Sequence, residues 1–146
     1  MTGIRPLLAV ALGGAAGSLI RWGLVAAGPD SWSTLIVFGV NAFGALLLGA
    51  LIGRRERLDP DLFGALGTGL CGGLTTFSDY AVSVAGGLED GRLLDALGNG
   101  LGTPTVALLA AGLGFRTSRL TAVRSGGRGR GPADGRGRTG RLVEER

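Results

Sequence analysis

The chain has 146 residues, 45% of them hydrophobic, with 30 glycines, one cysteine, no histidine and a net charge of +4. That length suits one domain and excludes two substantial soluble ones. Cys71 is the lone cysteine and falls in an apolar run, so neither a disulfide framework nor a metal site can be built from it.

The apolar residues gather in runs instead of recurring at helical or strand spacing. A helix needs about 20 mostly apolar residues to cross the roughly 30 Å hydrocarbon layer, and four stretches approach that length: residues 6–27, 34–53, 62–85 and 94–115. In the first, Gly13, Gly14 and Gly17 lie close together, and Arg21 sits near the C-terminal end, where its side chain can snorkel toward the interface. This run lacks the cleavage pattern of a secretory signal, and three comparable runs follow it.

Residues 28–33 join the first two spans through the turn dipeptide Pro29-Asp30, and residues 54–61 and 86–92 make the other connections. Links this short make neighbouring helices antiparallel. The second span carries Asn41 between glycines 39, 44 and 49. Most of the glycines are expected to serve packing, because helices in lipid associate through close backbone contact and not through a hydrophobic drive.

The third span is different. Gly72-Gly73 is followed by Leu74-Thr75-Thr76-Phe77-Ser78, which predicts a helix break at mid-membrane depth. The carbonyls freed there need a partner, either a monovalent cation or hydroxyls of a neighbouring helix. The fourth span carries Thr103, Pro104 and Thr105. Residues 1–117 form the expected membrane domain and residues 118–146 a disordered Gly/Arg-rich tail, whose composition cannot bury enough apolar surface to order itself. Attraction of that tail to anionic lipid heads is favoured over nucleic-acid binding.

The polar side chains singled out within the spans are Asn41, the group Thr75, Thr76, Ser78 and Asp79, and Thr103 with Thr105. No histidine, lysine or glutamate lies in any span, and Asp79 is read as the candidate carboxylate of a proton-coupled carrier. What remains is a set of hydroxyl and amide donors beside aromatic residues. Donors without fixed charge suit a small anion that must be dehydrated and then released, since a buried arginine would hold it too tightly. Phe77 and Tyr80 are three apart and share a helix face, presenting the positive edges of their rings. Asn41 is read either as a donor toward them or as one side of an interhelical hydrogen bond.

Gly13-Gly-Ala-Ala-Gly-Ser-Leu-Ile-Arg21-Trp, Val40-Asn41-Ala-Phe-Gly44-Ala-Leu-Leu-Leu-Gly49 and Gly69-Leu-Cys-Gly72-Gly-Leu-Thr75-Thr76-Phe77-Ser78 follow one another in order. In these three motifs the chain resembles the CrcB/Fluc family of fluoride channels, over about residues 8–115. The resemblance implies an all-α membrane protein of four transmembrane helices with a broken third helix, forming an antiparallel, dual-topology-type dimer. It implies passive fluoride efflux that protects the cytoplasm, with no enzymatic step. It also implies a central structural sodium ion held by the backbone carbonyls of Gly72 and Thr75. Asn41, Phe77, Tyr80 and Thr103 would line the ion pathway.

The chain departs from the family motif where Asp79 and Tyr80 stand in place of Thr and Phe. A carboxylate roughly 6 Å from fluoride would repel it by about 3 kcal/mol at an effective dielectric of about 20. Asp79 is two residues from Phe77 and is expected to face away from that ring, toward water or a dimer contact. Pro104 interrupts the fourth helix, and Ala107 one turn on lacks a hydroxyl. Two other functions remain open: a small four-helix proton-coupled exporter using Asp79, and a non-transporting membrane scaffold with an Arg-rich recruiting tail.

All 15 basic residues are arginines. With four spans, Arg5, Arg54, Arg55, Arg57, Arg116, Arg119, Arg124, Arg128 and Arg130 share one side, against Arg92 and at most Arg21 on the other. That imbalance predicts insertion in the inner (plasma) membrane with both termini cytoplasmic. A chain inserting both ways needs nearly balanced charge, so the expected dimer forms with a related, oppositely oriented chain as readily as with itself.

Overall fold

The structure is a computed structural model and describes residues 3–126. Among these residues the chain is helical almost throughout and contains no strand. Helix α1 (Ile4–Ala27) starts with Pro6 in its first turn, where no backbone N–H is missed. It stops at Gly28, which is extended (φ −85°, ψ 159°) as a residue before proline should be. A single 3₁₀ turn at Asp30–Trp32 leads into α2 (Ser33–Gly53), which carries no charged residue. Arg55–Arg57 form a second 3₁₀ turn.

The third span is built from pieces. Helix α3 (Pro60–Phe63) has Pro60 in its first turn and is capped by Asp59 Oδ1, which accepts from the N–H groups of Asp61 at 2.9 Å and Leu62 at 3.2 Å. A π-helical stretch, Gly64–Cys71, continues into the short α4 (Gly72–Leu74). Thr75 then turns extended (φ −82°, ψ 154°), and helix resumes at α5 (Ser78–Glu89). The break expected from the sequence therefore begins at Thr75, while Gly72 keeps helical angles of −65° and −38°.

A Schellman turn ends α5. Gly91 takes φ +70°, the N–H of Arg92 reaches Gly87 O at 2.7 Å, and that of Gly91 reaches Leu88 O at 3.1 Å. Helix α6 (Leu93–Gly126) contains Pro104. It runs past the boundary expected after residue 117, because no glycine or proline lies between Gly114 and Gly126 and because Ser118, 2% exposed, packs into the space left by Gly53. The rest of the expected tail, residues 127–146, lies outside the described residues.

Helices α1, α2 and α6 are each long and apolar enough to cross a membrane. The third span is interrupted, and no single piece of it reaches that length. The packing runs opposite to that of a soluble bundle. Large apolar side chains such as Leu7, Leu12, Trp22 and Leu108 point outward at 71–75% exposure, while the buried positions of α1 and α2 are mostly glycines. The most extensive contact is α2 with α6, where a Cβ at Gly49 would collide with the backbone of Ala111. On the other side α1 meets the π-helical stretch and α4, and a Cβ at Gly73 would strike the backbone of Gly14. Glycine at these crossings lets backbones touch, the main source of helix association in lipid.

Candidate functional site

The break in the third span leaves backbone groups that a continuous helix would pair, and side chains from other helices take them up. In a helix the N–H of Thr76 would go to Gly72 O; here it goes to Asn41 Oδ1 at 2.8 Å. Asn41 Nδ2 in turn donates to Thr76 O at 3.1 Å. This two-point clasp settles which end of the amide is which, and it holds α2 against the break with Asn41 8% exposed. Gly73 O accepts from Ser18 Oγ at 3.4 Å and Arg21 Nε at 3.3 Å, both on α1. Thr75 closes the helix before the break, its N–H and hydroxyl both donating to Cys71 O at 2.9 Å. Thr76 Oγ1 accepts from the Asp79 N–H at 3.4 Å and opens α5.

Two cavities flank this break. One, of about 800 Å³, lies between α1, α2, α5 and α6 and is lined by Arg21, Phe38, Asp79 and Ser83 among others. The second, of about 630 Å³, reaches Phe63, Thr68, Gly72, Thr75 and Phe77. Asn41, Tyr80 and Thr103 line both, so the cavities meet at these three side chains. At this waist Tyr80 Oη donates to Gly100 O at 2.7 Å, and Thr103 Oγ1 donates to Asn99 Oδ1 at 2.6 Å. Asn99 Nδ2 passes the chain on to Ser83 Oγ at 2.8 Å. The rings of Phe77 and Tyr80 lie 5.3 Å apart, tilted by 49°.

This waist presents hydroxyl, amide and ring-edge donors with no charged group among Asn41, Tyr80 and Thr103. Residues 8–115 match the protein family described as CrcB-like protein, Camphor Resistance (CrcB). The chain belongs to the CrcB family. It is similar to the "Fluoride-specific ion channel FluC" of Erwinia tasmaniensis, 40% identical over 118 residues that cover 77% of this chain and 94% of that protein. The "Fluoride-specific ion channel FluC 2" of Natronomonas pharaonis is 43% identical over 109 residues, covering 74% of this chain and 90% of that protein. A protein of the same name from Rhodococcus jostii is 43% identical over 112 residues, covering 75% of this chain and 96% of its own.

Within this CrcB-family chain, the four side chains singled out for the pathway all line the second cavity, and three of them line the first as well. Asn41, Tyr80 and Thr103 stand at the waist, and Phe77, 77% exposed, lies on its second-cavity side. Of the two readings of Asn41, the interhelical hydrogen bond is the one observed, and it uses one of the amide's two N–H groups. Gly72 and Thr75 line the second cavity, and a Cβ at Gly72 would meet nothing within 4 Å. Sequence reasoning passed over Asn99 and Ser83. Their signal was available: Asn99 is four residues before Thr103 and so lies on the same helix face. It also read Arg21 as snorkelling and Asp79 as turned to water or a dimer contact; it did not foresee that the two form an ion pair at 3.2 Å, which stays open to water.

Proposed function

We propose that this multi-pass membrane protein is a subunit of a fluoride-specific ion channel that lets fluoride leave the cytoplasm passively and so lowers its toxicity. The observation that carries this is the uncharged donor waist of Asn41, Tyr80 and Thr103 joining two cavities, in a chain about 40% identical to proteins named fluoride-specific channels. The hydroxyls of Tyr80 and Thr103 already have internal acceptors, so turning to the ion costs each a bond and the ion is held weakly, which favours release over trapping. The ring edges of Phe77 and Tyr80 add weak attraction for an anion. No covalent step is involved.

Counting the broken third as a fourth span, the arginine imbalance supports both termini on the cytoplasmic side of the inner membrane. The carbonyls of Gly72 and Thr75 are hard oxygen donors and suit a sodium ion. The helical donor for Gly72 O is engaged elsewhere, and the Asp79 N–H that would meet Thr75 O goes to Thr76 Oγ1. Two carbonyls from one chain are too few to enclose a cation, which supports a dimer contributing a second pair, either from the same chain or from a related one in the opposite orientation. Bound there, sodium would satisfy backbone oxygens and hold the two breaks together.

Expression in cells that lack their own fluoride export tests the function. Growth in millimolar fluoride should be restored by the full-length chain, alone or with a related second chain. Continued sensitivity with both present in the membrane would overturn the proposal.

A further inference from the structure

Arg21 touches both sides of the break at once. Its Nε donates to Gly73 O before the break at 3.3 Å, and its guanidinium meets Asp79 Oδ2 in the first turn of α5 at 3.2 Å. The backbone of α1 has little room to shift beneath it, since a Cβ at Gly17 would strike the backbone of Leu70. The pair is open to water, with the side chains 30% and 48% exposed, so its contribution to stability is small. Its position matters more, because both groups line the larger cavity that leads to Asn41, Tyr80 and Thr103. The other charged side chains lining that cavity are Arg92 and Asp95, 3.7 Å apart, with Asp90 2.9 Å from the same arginine. Among the described residues, the two carboxylates lining this cavity, Asp79 and Asp95, therefore each have an arginine beside them.

We propose that Arg21 is a positioning and specificity residue that cancels the charge of Asp79, keeping the approach to the waist free of an anion-repelling carboxylate while fixing the angle between α4 and α5. The inference rests on the channel function proposed above and extends it to the electrostatics of one mouth. An anion crossing this cavity meets paired charges instead of a net field, so neither repulsion nor trapping limits its passage. If Arg21 is removed, Asp79 remains as an unpaired negative charge within screening distance of the path.

Fluoride efflux from liposomes holding the full-length protein, measured at low and high ionic strength, tests this. Arg21→Gln should lower efflux about tenfold at low salt, and by much less at high salt, where the freed carboxylate is screened. The double variant Arg21→Gln/Asp79→Asn should recover to within about threefold of wild type, since the repelling charge is gone. If Arg21→Gln fails to assemble, Arg21→Lys gives the same contrast: it keeps the positive charge and should retain most of the efflux at both salt concentrations. A double variant as slow as Arg21→Gln, or a loss independent of salt in either single variant, would show that Arg21 acts through its bond to Gly73 alone and would overturn the proposal. Absence of efflux from wild type would instead count against the channel function itself.

Discussion

The hydroxyl of Tyr80 donates to the carbonyl oxygen of Gly100 at 2.7 Å, the oxygen that Pro104, having no N–H, cannot pair within α6. Two departures that look unrelated in the sequence, a tyrosine at an aromatic position and a proline inside the last span, thus answer each other. The hydroxyl anchors the Tyr80 ring between the two cavities and covers a carbonyl that α6 leaves unpaired.

Tyr80→Phe should therefore destabilise the protein by about 0.5–1.5 kcal/mol, the loss of one part-buried hydrogen bond, and should slow fluoride flux. Adding Pro104→Ala returns a backbone N–H to Gly100 O and should recover part of both losses. Thermal unfolding in detergent and liposome efflux measure the two effects, and equal flux in Tyr80→Phe and wild type would contradict this role.

Asn41 and Thr76 exchange two hydrogen bonds across the break. Asn41→Ala leaves a backbone N–H and a carbonyl unpaired at a site where the asparagine is 8% exposed, and should cost about 2–4 kcal/mol. Asn41→Asp keeps the acceptor for the Thr76 N–H but loses the amide donors and brings in a negative charge. It should abolish flux and cost at least as much stability as alanine, because a carboxylate oxygen then faces Thr76 O where the amide had donated. Denaturation and efflux measured on both variants separate the clasp from the ion path.

Phe77→Ile keeps apolar bulk and removes the positive ring edge. Because Phe77 is 77% exposed within the subunit, the substitution should leave the fold intact and suppress fluoride flux at least about tenfold. A properly assembled Ile variant with unchanged flux would remove Phe77 from the pathway.

Gly49→Ala and Gly72→Ala should differ sharply. The first drives a methyl into the backbone of Ala111 and should disrupt the α2–α6 contact, while the second meets nothing within 4 Å. Gly72→Ala should leave the subunit's own fold unchanged, so any loss of sodium-dependent assembly in that variant reports on contacts beyond it. Size-exclusion profiles with and without sodium measure this.

How much was legible in the sequence follows from the range of each interaction. The three long apolar helices and the break could be read because length, apolarity and the Gly72-to-Ser78 cluster are local properties. Thr75 as the turning point and Asp59 as a helix cap obey local rules as well. The ion pair of Arg21 with Asp79 joins residues 58 apart, and the hydrogen bond of Tyr80 to Gly100 depends on how α5 lies on α6; neither leaves a local trace. The π-helical stretch at Gly64–Cys71 was also unforeseen, since its glycines serve equally well in an ordinary helix packed against α1. Charge was misleading at Asp79, where one residue alone suggested repulsion or a proton-coupled role until its arginine partner was in place.

Selective passage of fluoride is the central claim, and efflux from liposomes holding the purified full-length protein, alone and with a related second chain, with a chloride electrode beside the fluoride electrode, tests it most directly. Wild-type vesicles should release fluoride rapidly and retain chloride, with Phe77→Ile slowing the former. Release of both anions at similar rates, or of neither, would contradict it.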